Sequence, residues 1–150
     1  MRIWSKKLIH VLPNKQLKAM RYELGDMIKQ HPNIKHPLVK FANNYDITYL
    51  GSYFLNVCKE LRNRNINMND KYNTEIITIM LKDKKVILDD FDFTFKRILN
   101  HLLDPTFDED NTDYLQICWW NLYEKHLRKM ITDEEWEKID NELSYLWYDD

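Results

Sequence analysis

Two glycines and four prolines are all that interrupt the 150 residues of this chain. Glycine and proline are the residues that let a backbone reverse cheaply, the one by reaching left-handed geometry and the other by fixing φ. Average usage is about 7% and 5%, so a fold built from many tight turns is closed to this sequence. Few β-branched runs occur, and apolar residues recur every three or four positions. Together these imply an all-α protein. Hydrophobic residues make up 44% of the chain and aromatic residues 13%, enough for one core, so a single compact domain spanning residues 1–150 is expected.

The apolar spacing divides the chain. Residues 1–13 read as an ordered arm with a short helical turn. A helix then starts at Pro13-Asn14, with Asn14 as N-cap, and buries Leu17, Met20, Leu24, Met27 and Ile28. It must stop before His31-Pro32, because a residue preceding proline resists helical geometry. Residues 31–46 carry loop chemistry. A second helix is expected from about Ile47 to Arg64, striped by Ile47, Leu50, Phe54, Val57, Cys58 and Leu61. Gly51 inside it costs about 1 kcal/mol relative to alanine and suggests close packing. Thr74–Leu81 is apolar and β-branched and fits either a strand or a buried helix. Lys82–Lys85 reads as a polar turn. Residues 91–103 fit a helix broken by Asp104-Pro105. A further helix is expected over about Thr112–Met130, and a last one begins at the capping box Thr132-Asp133-Glu134-Glu135.

Several functions are excluded by what the sequence lacks. Gly25 and Gly51 alone cannot build a phosphate-cradling loop, and Ser5, Ser52 and Ser144 sit in no nucleophile elbow. The histidines, cysteines and acids show no metal-ligand spacing, and no metal or cofactor is expected. Cys58 and Cys118 each lie in an apolar helical pattern and read as a buried, reduced pair. The apolar stretch at Leu8–Leu12 is too short for a leader peptide, and no run approaches the ~18 residues of a membrane span. A cytoplasmic, membrane-free, monomeric protein is expected.

Charge is unevenly divided. Residues 1–70 hold twelve Lys and Arg against five Asp and Glu, whereas residues 71–150 hold ten against nineteen. Such asymmetry hints at a polyanion-binding face in the first part, although a sequence pI near 6.2 is low for a general nucleic-acid binder. Arg2, Lys6, Lys7, Lys15, Lys18 and Arg21 precede or share the first long helix with Glu23, and Lys35, His36 and Lys40 follow in the loop. Trp4 and Tyr22 offer stacking surfaces, and for Trp4 the favoured reading is a core anchor for the arm. Taken singly, each basic residue reads as part of a solvated face and Glu23 as a surface carboxylate. The N-terminus itself is a further reactive group. An α-amine has a reference pKa of about 7.7–8.0, so a sizeable fraction is a neutral nucleophile near pH 7.

These residues resemble a known pattern over about residues 1–70. Met1-Arg2-Ile3-Trp4-Ser5 is similar to the M-R-[LI]-W start of bacterial members of the pyrimidine dimer DNA glycosylase (endonuclease V) family. Leu12, Gln16-Leu17 and Arg21-Tyr22-Glu23 resemble its L-x(4)-L-x(4)-R-E segment. Asn33 to Phe41 resembles its K-x-H-P-x-L-x-R-F stretch, shortened by one residue. Leu50-Gly51-Ser52-Tyr53 and Glu60–Asn65 fit the helix that follows. Tyr22 stands where the family has arginine.

The resemblance implies a compact all-α fold and a bifunctional DNA glycosylase/AP lyase acting on damaged double-stranded DNA. The N-terminal amine attacks C1′ of the damaged nucleotide, displaces the base, forms a Schiff base, and β-elimination then cuts the strand. On this chain Met1 would supply the amine and Glu23 the acid/base. The bulky Arg2 implies that Met1 is retained. Arg2, Lys18, Arg21, Tyr22, Lys35, His36 and Lys40 would contact DNA. The alternative is a non-catalytic helical module on the same fold, whose acidic second part engages a protein or mimics DNA charge.

Overall fold

The first element shows how a short polar sequence is pinned before any long helix begins. Ser5 caps a single 3-10 turn, Lys6–Leu8, by accepting from the Lys7 N–H at 3.3 Å, and Leu8 is wholly buried. The structure is a computed structural model and describes residues 2–81 and 104–147. Among these residues the fold is all-α, with five α-helices and no strand. They are α1 (Asn14–Gln30), α2 (Ile47–Asn63), α3 (Asp70–Met80), α4 (Thr112–Leu127) and α5 (Asp133–Leu143). Further 3-10 turns cover Lys40–Asn44 and Ser144–Trp147. The helix expected over residues 91–103 and the turn at Lys82–Lys85 lie outside the described residues.

α1 and α2 form the central pair, and α3 packs on both. Their expected stripes are the buried ones: Leu17, Met20, Leu24, Met27 and Ile28 on α1 meet a core that includes Leu50, Phe54, Val57, Cys58 and Leu61 on α2. The open choice over Thr74–Leu81 resolves as helix. Asn69 caps α3 by accepting from the Tyr72 N–H at 3.1 Å, and Ile76, Ile77 and Met80 fall on one helical face and are buried. The β-branched residues there are tolerated because burial outweighs their small helix penalty.

Both glycines of the chain are seats for α3. A Cβ on Gly25 would lie 2.1 Å from the Tyr72 hydroxyl and 2.8 Å from its ring carbon Cζ. A Cβ on Gly51 would lie 2.2 Å from the Met80 Cε. The first and last turns of α3 are thus let into notches on α1 and α2.

Two expected boundaries shift. Asn14 is the first helical residue rather than the N-cap; Pro13 occupies the cap position and makes no side-chain cap. The reason is Arg64, whose charged Nη1 donates to Asn14 Oδ1 at 2.9 Å and so takes the oxygen that would have capped α1. α4 ends at Leu127, three residues earlier than expected, because Lys129 turns left-handed at φ 62° and the Met130 N–H closes back on the Lys125 carbonyl at 2.9 Å. The capping box before α5 is present in both halves: Glu135 N–H donates to Thr132 Oγ1 at 3.1 Å, and Thr132 N–H to Glu135 Oε1 at 3.0 Å.

Arg64 also ties the end of α2 to the arm. Its guanidinium donates to the Leu12 carbonyl at 2.6 Å, to His10 at 3.1 Å and to Ile9 at 3.3 Å, while Nε pairs with Glu60 at 3.1 Å. Replacing it strands three backbone carbonyls that have turned towards it. Arg64→Ala is expected to lower unfolding free energy by about 2 kcal/mol, read from urea denaturation.

Cys58 and Cys118 are free thiols, 1% and 0% exposed. Burial pushes the Cys58 thiol up to about 12 and the Cys118 thiol up to about 11, so neither forms the reactive thiolate near neutral pH. Both are expected to resist a water-soluble disulfide reagent in native buffer and to react once denaturant is added.

Candidate active site at the N-terminal arm

Residues 2–6 run across the molecule and are held at nearly every step. The Arg2 N–H donates to Glu23 Oε2 at 3.4 Å, which sets the α1 carboxylate beside the first described peptide group of the chain. Met1 lies outside the described residues, but covalent geometry puts its α-nitrogen only three bonds from the Arg2 nitrogen. The Ile3 carbonyl accepts from the Tyr114 hydroxyl on α4. Trp4 is 6% exposed and anchors the arm in the core, with the Arg2 guanidinium 5.8 Å from its ring. The Lys6 N–H donates to Asp110 Oδ2 at 2.9 Å, and that same oxygen accepts from the Tyr53 hydroxyl at 2.7 Å.

The Tyr114 phenol is held well above its ordinary value, first by burial and then by the neighbouring Cys118, while the Arg2 guanidinium opposes the shift. It therefore remains a donor to the arm across the working pH range.

The Lys6 side chain closes a second, tighter cluster. Its ammonium reaches Ser52 Oγ at 2.7 Å, Asp104 Oδ1 at 2.8 Å, the Pro105 carbonyl at 2.8 Å and Thr106 Oγ1 at 3.3 Å, and it lies 4.7 Å from the centre of the Tyr53 ring. Ser52 Oγ and Asn56 Nδ2 also donate to Asp104 Oδ1, at 2.6 and 3.1 Å. Burial alone would raise the Asp104 carboxyl, but the Lys6, Ser52 and Asn56 hydrogen bonds together with the Lys6 charge outweigh it and leave it lowered. Every donor of the lysine is used, so Lys6 is a clasp between the arm, α2 and the 104–110 loop. The carboxylate beside Ser52, that of Asp104, is already held by Lys6 and Asn56.

Among the sequence-selected residues, the structure joins Arg2 to Glu23 and separates others. Arg21 is 3% exposed and turned inward, donating to Asn73 Oδ1 at 2.8 Å and the Asn69 carbonyl at 3.0 Å. Its guanidinium also lies 4.8 Å from the Tyr22 ring and 5.1 Å from the Tyr72 ring. Tyr22 is half exposed and pairs with Tyr72 at 5.0 Å between ring centres. Lys18 is exposed on α1.

The loop after α1 is braced from within. Asn43 clasps Ile34 in both directions, accepting from its N–H at 2.9 Å and donating to its carbonyl at 2.8 Å. That clasp leaves Lys35, His36 and Lys40 on the outer run of the loop: both lysines are exposed, and His36 Nδ1 accepts from the Leu38 N–H at 3.3 Å. No ion pair or hydrogen bond connects these three to Glu23 in the structure's described contacts.

Sequence reasoning missed Tyr114, Asp110 and Asp104. Tyr114 meets Ile3 across 111 positions of sequence, a separation at which periodicity carries no signal. Lys6 was visible only as one charge in a basic arm. Among the described residues no group of three or more His, Cys, Asp and Glu side chains could hold a metal ion, and no helix is long and apolar enough to cross a membrane.

The geometry defines an all-α protein whose N-terminal arm is clamped between α1 and α4, with one carboxylate at its outer end. Residues 1–74, just under half of the chain, match the model of the pyrimidine dimer DNA glycosylase family. That match bears out the resemblance read from residues 1–70 and relates this part of the chain to pyrimidine dimer DNA glycosylases. No curated protein and no solved structure matches the chain.

Asp104 gives the site a pH signature. A lowered carboxylate stabilises the fold above its unfolded value of about 3.9 and loses that contribution as pH falls through the lower folded value. Asp104→Asn is therefore expected to be less stable than wild type by a constant margin above about pH 5. The margin should close below about pH 4 in a series of urea midpoints.

Proposed function

We propose that this chain is a DNA-repair glycosylase/AP lyase that uses the α-amine of Met1 as nucleophile and Glu23 as acid/base. The carrying observation is the Glu23 carboxylate against the Arg2 N–H at 3.4 Å, within a segment that matches the pyrimidine dimer DNA glycosylase model. The chemistry follows from the group. A neutral primary amine attacks C1′ and the base departs with its bonding electrons. Loss of a proton from nitrogen and opening of the sugar ring give a protonated imine, which withdraws electrons from C2′. Removal of a C2′ proton then expels the 3′ phosphate by β-elimination. A carboxylate beside the amine suits the proton transfers of ring opening and elimination, each worth about 10²–10⁴-fold.

Arg2 sits at the same end of the arm, and its guanidinium is assigned to phosphate beside the lesion. DNA contacts are assigned to Lys18, Lys35, His36 and Lys40 as phosphate-facing groups, and to Tyr22 as a stacking surface. Arg21, inward and engaged with Asn69 and Asn73, backs Tyr22 in this reading and does not meet phosphate. Residues 1–150 act as one domain, supported by the bonds from Lys6 to Asp104 and Asp110 and from Tyr114 to Ile3.

One observation favours a second reading, a non-catalytic helical binding module. Ile117, Trp120 and Leu127 form an exposed stripe along α4, between 49% and 62% accessible. Borohydride reduction on duplex DNA containing one abasic site separates the two. Chain with its native start is expected to form a covalent adduct, and Glu23→Gln is expected to bind the same DNA while cleaving it at least about 10²-fold more slowly. Absence of an adduct with the wild-type chain sinks the enzymatic reading.

A further inference from the structure

We propose that Tyr114 and Asp110, both beyond the segment that matches the family, are positioning residues that set the candidate amine against Glu23. This rests on the reading of Met1 as nucleophile. The contact from Glu23 to the arm is long for a hydrogen bond, 3.4 Å, and cannot by itself fix where the arm ends. The firm anchors come just after it. Tyr114 fastens the Ile3 carbonyl from α4, and Asp110 fastens the Lys6 N–H at 2.9 Å from the loop before α4.

Between the anchored Ile3 carbonyl and the Arg2 nitrogen only four rotatable backbone bonds intervene, since each peptide unit is planar. Two belong to Ile3, which is 2% exposed and locked in the core. A shift of Tyr114 is thus passed to the Arg2 nitrogen, the atom that meets Glu23, with little slack. A misplacement of about 1 Å at a reacting group can cost about 10²-fold. Asp110 is itself held, since Tyr53 on α2 donates to the same oxygen at 2.7 Å. The arm is therefore aligned by α4 and the loop before it, braced against α2, while the acid/base sits on α1.

The role differs from a merely stabilising one in what it moves. Loss of a stabilising contact lowers the melting temperature without changing the rate of folded protein on saturating substrate. Loss of alignment lowers that rate at unchanged DNA affinity. The test uses full-length chain with its native start on duplex DNA carrying one abasic site. Single-turnover rates of borohydride-trapped adduct are measured below the melting temperature of each variant, with DNA affinity measured alongside.

Tyr114→Phe is expected to keep affinity and lower the trapping rate about 10–100-fold. Asp110→Ala is expected to do the same, and Asp110→Asn, which keeps an oxygen acceptor, to return the rate to within a few-fold of wild type. Wild-type rates in Tyr114→Phe and Asp110→Ala overturn the inference and leave the proposed chemistry standing. So does a rate loss that Asp110→Asn fails to rescue, or one matched by lost affinity. An absent adduct in the wild type overturns both. Should Tyr114→Phe fail to fold, the Asp110 pair decides.

Discussion

The Lys6 residue fastens this fold at two points of one amino acid. Its ammonium gathers Ser52, Asp104, Pro105 and Thr106, and its N–H is taken by Asp110. Chain ends normally fray, because ordering each backbone residue costs about 1–2 kcal/mol and few contacts repay it. Here α2 and the 104–110 loop close on one lysine, Tyr114 takes the residue three positions before it, and Arg64 takes the carbonyls just after it. With residues 2–12 held in this way, the Glu23 carboxylate has a fixed partner. Without it α1 would carry an acid facing nothing in particular.

The asymmetry of charge acquires a physical meaning from the same contacts. Acids of the second part of the chain are partly spent on the basic first part: Asp104 on Lys6 and Glu75 on Lys29. The surplus of each half is thus in part an internal match. Among the basic residues picked out from sequence, Arg21 is likewise spent inside, on Asn69 and Asn73, whereas Lys18, Lys35 and Lys40 stay exposed. Tyr22 is then presented outward on a cationic backing and carries no charge of its own.

What the sequence disclosed followed the reach of each signal. The ends of α1 and α2 were legible because His31-Pro32 and the Arg62–Asn65 polar run act locally, and the α5 start because a capping box spans four residues. Asn14 was misjudged because Arg64, fifty positions away, competes for its oxygen. Thr74–Leu81 stayed ambiguous because a short apolar run fits either period, and only its seat on α1 and α2 decides. At the candidate site, Glu23 and the basic arm were readable from motif order. The bonds that hold the arm were not, since Tyr114 and Asp110 lie 111 and 104 positions from their partners.

The two glycine notches bear on where one unit of this molecule stops. The matched segment ends at residue 74, four residues past Asp70 and six short of Met80, in the middle of α3. Tyr72 fills its notch on Gly25 within that segment, but Ile76, Ile77 and the Met80 that fills Gly51 lie beyond it. The border of likeness therefore cuts through a helix whose two ends are wedged into two others. A likeness carried by the first 74 residues and the extent of the packed body are different things here. The later residues supply the far half of one wedge, because Met80 is what meets Gly51.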